Sequence, residues 1–158
     1  MRREKIWYVI MNSNRARILQ HLPMDHEPAP EEIMLEAELR KLRDTLGDRP
    51  TRSYASAGGG RRSAVEPGTD PLREDMGHFL RDVFDLLERK RSAGKFEGLV
   101  LIGSPEIVGL WREMVPDALR DLVRREVTKN LVQLPGAALV TTLRRLMANE
   151  GGLAGSQP

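Results

Sequence analysis

An α/β fold, a single three-layer domain around a mixed sheet, is what this sequence predicts, and three observations predict it. Residues 98–103, Gly-Leu-Val-Leu-Ile-Gly, form an unbroken apolar run of strand length, the pattern of a strand covered on both faces. Ser104-Pro105-Glu106 follows at once and opens a helix, so a strand feeds a helix through a tight junction. Helical and strand patterns then alternate to the end of the chain behind a starting hairpin, as helices packed on a partly parallel sheet require.

The elements follow in order. Ile6-Trp7-Tyr8-Val9-Ile10-Met11 is β-branched and aromatic, and the turn cluster Asn12-Ser13-Asn14 closes it before Ala16-Arg17-Ile18-Leu19 resumes an apolar pattern. That is a hairpin whose first strand is covered on both sides. From Glu31 the apolar positions Ile33, Leu35, Ala37, Leu39, Leu42 and Leu46 interleave with Glu and Arg up to Gly47, which predicts a surface helix. Residues 51–57 have the small alternating pattern of a thin strand. Asp70-Pro71 supplies an N-cap and a first-turn proline, and Leu72, Met76, Phe79, Leu80, Val83, Leu86 and Leu87 recur at three- and four-residue steps until Gly94.

Beyond the strand at 98–103, a helix carries Ile107, Val108, Leu110 and Trp111. A short helix over 116–122, a strand over 123–131 and an amphipathic helix over 135–147 complete the domain, which is expected to span residues 1–149. The Gly- and Ser-rich residues 150–158 read as a flexible tail. Within the domain, residues 58–70 form a Gly/Arg-rich loop, and long irregular loops in compact domains are either functional or disordered.

Composition narrows the function. The 158 residues fit one core. With no cysteine, disulfides and thiolate metal sites are excluded, and His21, His26 and His78 lack zinc spacing, so no cofactor or metal is expected. The apolar run behind the charged N-terminus is six residues, short of a signal peptide or a membrane span, so a soluble, cytoplasmic protein is expected. Net charge is +2, yet of the 25 basic side chains 20 are arginine. A GC-rich genome would produce that bias, and so would selection for phosphate contacts, which the planar guanidinium makes better than an ammonium. The phosphate reading is kept for arginines beside glycine.

That leaves a small set of candidate binding residues. In Ser56-Ala57-Gly58-Gly59-Gly60-Arg61-Arg62, the glycines allow close backbone approach, and Arg52, Arg61 and Arg62 could clamp an anion or follow an RNA backbone; a flexible connector is the alternative. Without Lys-Ser/Thr the stretch is no P-loop. Arg15 and Arg17 flank Ala16, so both point to one face of a strand; they either extend a basic surface or protect a sheet edge. Ser104 begins a helix at the carboxyl edge of the sheet, as an anion site or an ordinary cap. No catalytic triad, Cys-His pair or carboxylate pair assembles from the spacing, and the first strand offers no Asp or Glu to a nuclease centre.

The order of motifs resembles the bacterial host-attachment protein family. The matching pieces are Trp7-Tyr8-Val9 with Asn12-Ser13-Asn14-Arg15-Ala16-Arg17, Asp48-Arg49-Pro50-Thr51-Arg52-Ser53, Ser56-Ala57-Gly58-Gly59-Gly60-Arg61, Glu66-Pro67-Gly68-Thr69-Asp70-Pro71, Leu99-Val100-Leu101 and Lys129-Asn130-Leu131-Val132-Gln133-Leu134-Pro135. That family is similar to the middle domain of eukaryotic and archaeal peptide-chain release factors, whose Gly-Gly-Gln loop precedes a long helix and a Gly-Leu-Val-Leu strand. The resemblance implies an RNase-H-like fold and contact with RNA or the ribosome. It does not carry peptide release across, because arginine stands where the catalytic glutamine would be; Gln20, Gln133 and Gln157 are the only glutamines. The expected function is a non-enzymatic binding module that meets a phosphate-bearing partner through its Gly-Gly-Gly-Arg-Arg loop. The competing expectations are a factor acting indirectly in surface attachment and a small nucleotide-binding hydrolase. Nothing in the sequence indicates a homo-oligomer.

Overall fold

Six residues from each of two apolar runs, pairing side by side, make the centre of the sheet. The computed structural model describes residues 3–24, 26–37 and 71–156, the last seven by their backbone only. Along them run β1 (Ile6–Met11), β2 (Arg15–Leu19), β3 (Glu32–Glu36), α1 (Pro71–Ser92), β4 (Gly98–Gly103), α2 (Pro105–Met114), α3 (Asp117–Arg120), β5 (Val123–Thr128) and α4 (Gly136–Ser156). The open sheet has the order β3-β2-β1-β4-β5, with β1, β4 and β5 parallel and β2 antiparallel to both its neighbours.

The strand period of two distributes the apolar residues to two cores. Trp7, Val9, Met11, Leu99 and Leu101 face a cluster built with Phe79, Leu80, Val83, Phe84 and Leu87 of α1 and Ile107, Leu110 and Trp111 of α2. Two aromatic pairs tie it together, Trp7 with Phe96 and Phe84 edge-on to Trp111, each at a ring-centroid distance of 4.9 Å. Ile10, Leu19, Val100 and Ile102 face the other way, against Val132 and against Leu139, Val140 and Leu143 of α4. Helices therefore cover both faces, and the three-layer α/β architecture expected from the sequence is present.

Three elements differ from expectation. Residues 32–36 are a strand, not the start of a helix. Ile33, Leu35 and Ala37 stand two apart, so a strand sends all three to the α1 side, while Glu32, Met34 and Glu36 take the opposite face. The rest of the expected helix, the thin strand at 51–57 and Asp70 lie outside the described residues. β5 stops at Thr128, and residues 131–134 form a turn in which Leu134 N–H donates to Leu131 O at 3.1 Å. Helix α4 continues past the last periodic apolar residue, Met147, to Ser156. At the end of α1, Gly94 at φ 75° reverses the chain in a conformation that favours glycine. No helix among the described residues is long and apolar enough to cross a membrane.

The β4–α2 junction depends on one missing side chain. A Cβ on Gly103 would lie 2.6 Å from Ile107 Cγ2 and 3.1 Å from the carbonyl oxygen of Met11, so neither helix nor neighbouring strand could stay in place. Gly109, on α2, has open space for 4 Å around the point where a Cβ would stand. Gly103→Ala should therefore lower the unfolding free energy by about 1–3 kcal/mol. Gly109→Ala should raise it by about 0.5–1 kcal/mol through helix propensity. Urea titrations of the two variants test this packing, and equal effects would contradict it.

Candidate functional site

The carboxyl edge of the sheet gathers the described candidates. Met11 and Gly103 end β1 and β4 opposite one another, and β3, antiparallel to β2 as β1 is, ends on the same edge. β2 begins there, at Arg15. The turn at residues 12–14 is held by Asn12, whose Oδ1 accepts the N–H groups of Asn14 at 2.9 Å and Arg15 at 2.8 Å. Ala37 N–H donates to Asn14 O at 2.8 Å, so the chain leaves β3 beside this turn. Residues Arg52, Gly58, Gly59, Gly60, Arg61 and Arg62 follow from that point and lie outside the described residues; the described chain resumes at Pro71.

Ser104 sits on the same edge as the N-cap of α2. It is extended, at φ −68° and ψ 161°, and its hydroxyl makes no capping hydrogen bond, so the first-turn amides are not closed by the side chain. Two strand spacings separate Arg15 from Ser104, roughly 10 Å across the sheet. Glu106, in the first turn of α2, places a negative charge close by.

Arg15 and Arg17 do share a face of β2, yet β2 is not an edge: β3 lies outside it. Arg17 is 7% exposed. Its Nε and Nη2 donate to the two carboxylate oxygens of Glu32 at 2.8 and 2.7 Å, and Nη1 donates to the carbonyls of Val132 at 2.8 Å and Leu134 at 2.5 Å. A guanidinium with its donors committed in this way joins β2, β3 and the segment before α4; it is an internal clamp rather than the surface cation that the sequence suggested. Its acid partner escapes notice in the sequence because residues 32–36 look helical there. Arg15 differs. Its side chain is 32% exposed, Glu36 stands 3.5 Å away, and its Nε–H is buried with no partner among the described residues. A groove of about 500 Å³ runs past both arginines, Glu32, Met34 and residues 132–134.

A second group of guanidinium groups, not singled out from the sequence, surrounds a cavity of about 540 Å³ between β5 and the α2–α3 segment. Arg112 donates through Nε and Nη2 to Glu126 Oε1 at 2.8 and 2.6 Å, and Arg120 Nη1 to Asp117 Oδ1 at 2.6 Å. Arg124 donates to both oxygens of Glu4. The hydrogen bond from Arg124 holds the Glu4 carboxyl below the usual carboxylate range, and Glu126 holds the Arg112 guanidinium above its own. The sequence signal for this cluster, three arginines within 112–124 at strand and helix ends, is visible only once the strand order is known. Among the described residues no group of three or more His, Cys, Asp or Glu is placed to hold a metal ion.

The family model described as "Protein required for attachment to host cells" matches residues 7–143, from β1 into α4. No curated protein matches the chain.

The clamp at Arg17 has a measurable stability consequence. Arg17→Ala leaves Glu32 without its counter-charge and two inner carbonyls without a donor, and should cost about 3–5 kcal/mol. Glu32→Gln, which preserves shape and one acceptor, should cost less, about 1–3 kcal/mol. Chemical denaturation measures both, and an Arg17→Ala loss within about 0.5 kcal/mol, the range of an ordinary surface change, would refute the clamp.

Proposed function

The chain belongs to the family of proteins required for attachment to host cells, and from that premise we propose that it is a non-enzymatic binding module. Its Gly58-Gly59-Gly60-Arg61-Arg62 stretch meets a phosphate-bearing partner, structured RNA or the ribosome first among them. The observation that carries this reading is the convergence at one sheet edge. There the chain that bears the stretch leaves β3, held to the hairpin turn through Ala37 and Asn14, beside Arg15 and the open first turn of α2 at Ser104. In open α/β sheets with parallel strands, ligands bind at the carboxyl ends of those strands. Helix N-terminal amides and arginine forks both suit phosphate oxygens.

The RNase-H-like reading of the fold belongs to this proposal. It rests on the order of a hairpin, a glycine-rich stretch, a long helix and a Gly-Leu-Val-Leu strand, which is similar to the release-factor middle domain. The same likeness argues against peptide release here, since Arg61 and Arg62 supply no neutral amide at the loop. The family description itself favours a second reading, in which the protein acts in attachment through other cell components. Loss of surface attachment on deleting the gene, with ribosome sedimentation of the protein unchanged by its loop variants, would favour that second reading.

Binding to a structured RNA should weaken as salt rises, because neutralised phosphates release counterions. Arg61→Ala with Arg62→Ala should lower affinity and reduce the slope of log K against log salt by about two, one for each phosphate no longer neutralised. Filter binding across a salt series, paired with co-sedimentation with ribosomes, measures both. An affinity indifferent to salt and to the double substitution would overturn the proposal.

A further inference from the structure

We propose that the free edge of β5 takes up an extended acidic segment of a partner protein, which joins the sheet beside β5 while its side chains settle into the arginine-rimmed groove. Among the described residues β5 pairs with β4 alone, so its other side offers unpaired backbone N–H and C=O groups. The register shift of this pair lies between Leu99 and Val100, and from Arg125 to Thr128 the pairing is regular, leaving a straight stretch of edge. Natural sheets commonly protect such an edge with a covering loop or helix.

The groove beside this edge specifies the occupant. Its lining sets one acid, Glu126, and Arg125 beside a rim of Arg112, Arg120 and Arg124. These guanidinium-bearing side chains are 63%, 51% and 39% exposed. Their carboxylate partners Glu126, Asp117 and Glu4 belong to the same chain, and ion pairs near the surface exchange partners at little cost, while Arg120 also donates to Val115 O and Arg124 to Asp121 O and Glu97 O. A peptide that alternates acidic and apolar residues and pairs its backbone with β5 would therefore send its carboxylates to the face that carries the groove, against the rim, and its apolar side chains to the opposite face of the sheet.

Two other occupants fit less well. A phosphodiester chain has no amide groups for the strand edge, and the ring at the groove, Trp111, is 1% exposed and cannot stack on a base. A second copy would bring an equally arginine-rich rim to this edge, not the carboxylates that the rim calls for.

The test uses the full chain and a fluorescent peptide of alternating glutamate and valine, about eight residues long so that it spans the strand. Saturable binding is expected, weakened at least about tenfold when alternate backbone nitrogens of the peptide are methylated, because the edge pairing is then broken. Replacing glutamate by lysine in the peptide should abolish binding. Arg112→Glu with Arg120→Glu should weaken it at least about tenfold, and Arg112→Lys with Arg120→Lys should change it less than about threefold, with melting temperatures recorded for both pairs. Equal binding of the methylated peptide, absence of saturable binding, tighter capture of an oligouridylate that competes with the peptide, or self-association of the chain that excludes the peptide would each overturn the proposal.

Discussion

The parallel pairing of β1 with β4 is the constraint on which the rest of the structure depends. Ile6 lies opposite Gly98 and Met11 opposite Gly103, with every intervening residue in register. All six residues of β4 are buried, and β1 is buried or half-buried throughout, so this pair needs cover on both faces. The requirement places α1, α2 and α3 on one side and α4 on the other. It also fixes both ends of the molecule's chemistry. At the carboxyl end stand the turn at residues 12–14 and the start of α2; at the amino end Lys5 N–H donates to Glu97 and Arg124 reaches Glu4.

Much of this was legible because the central elements carry strong, unmixed signals. A continuous apolar run at 98–103, a long three-and-four-residue period after Pro71 and a proline-opened helix at 105 each have one physical solution. β3 was hidden for a definable reason. Its apolar residues 33, 35 and 37 alternate over only five positions, and they continue into Leu39, Leu42 and Leu46, whose spacing suits a helix. The strand is decided by β2, which offers Arg15, Arg17 and Leu19 as partners for Glu36, Met34 and Glu32. Tertiary pairing overrides a weak local preference there.

The binding residues were legible only as far as local spacing reaches. Alternation correctly put Arg15 and Arg17 on one face, but it carries no information on what roofs that face. The carbonyls that receive Arg17 are 115 and 117 residues further along the chain. A similar span, 120 residues, separates Arg124 from Glu4. Several arginines of this arginine-rich chain are thus engaged with its own acids and carbonyls, and abundance alone says little about phosphate recognition. Position beside the glycines and at the sheet edge is the more selective criterion.

The commitment of Arg17 has a mechanical corollary. One planar cation stitches β3, the outermost of the described strands on the antiparallel flank, to the strap that precedes α4, regions that share no backbone ladder among the described residues. Peeling either away strands a charge in a dry interior, so the two regions open as one cooperative unit, with amide protons on both exchanging through a common fluctuation. A load applied near one terminus of the domain would accordingly be felt at the far rim of its sheet.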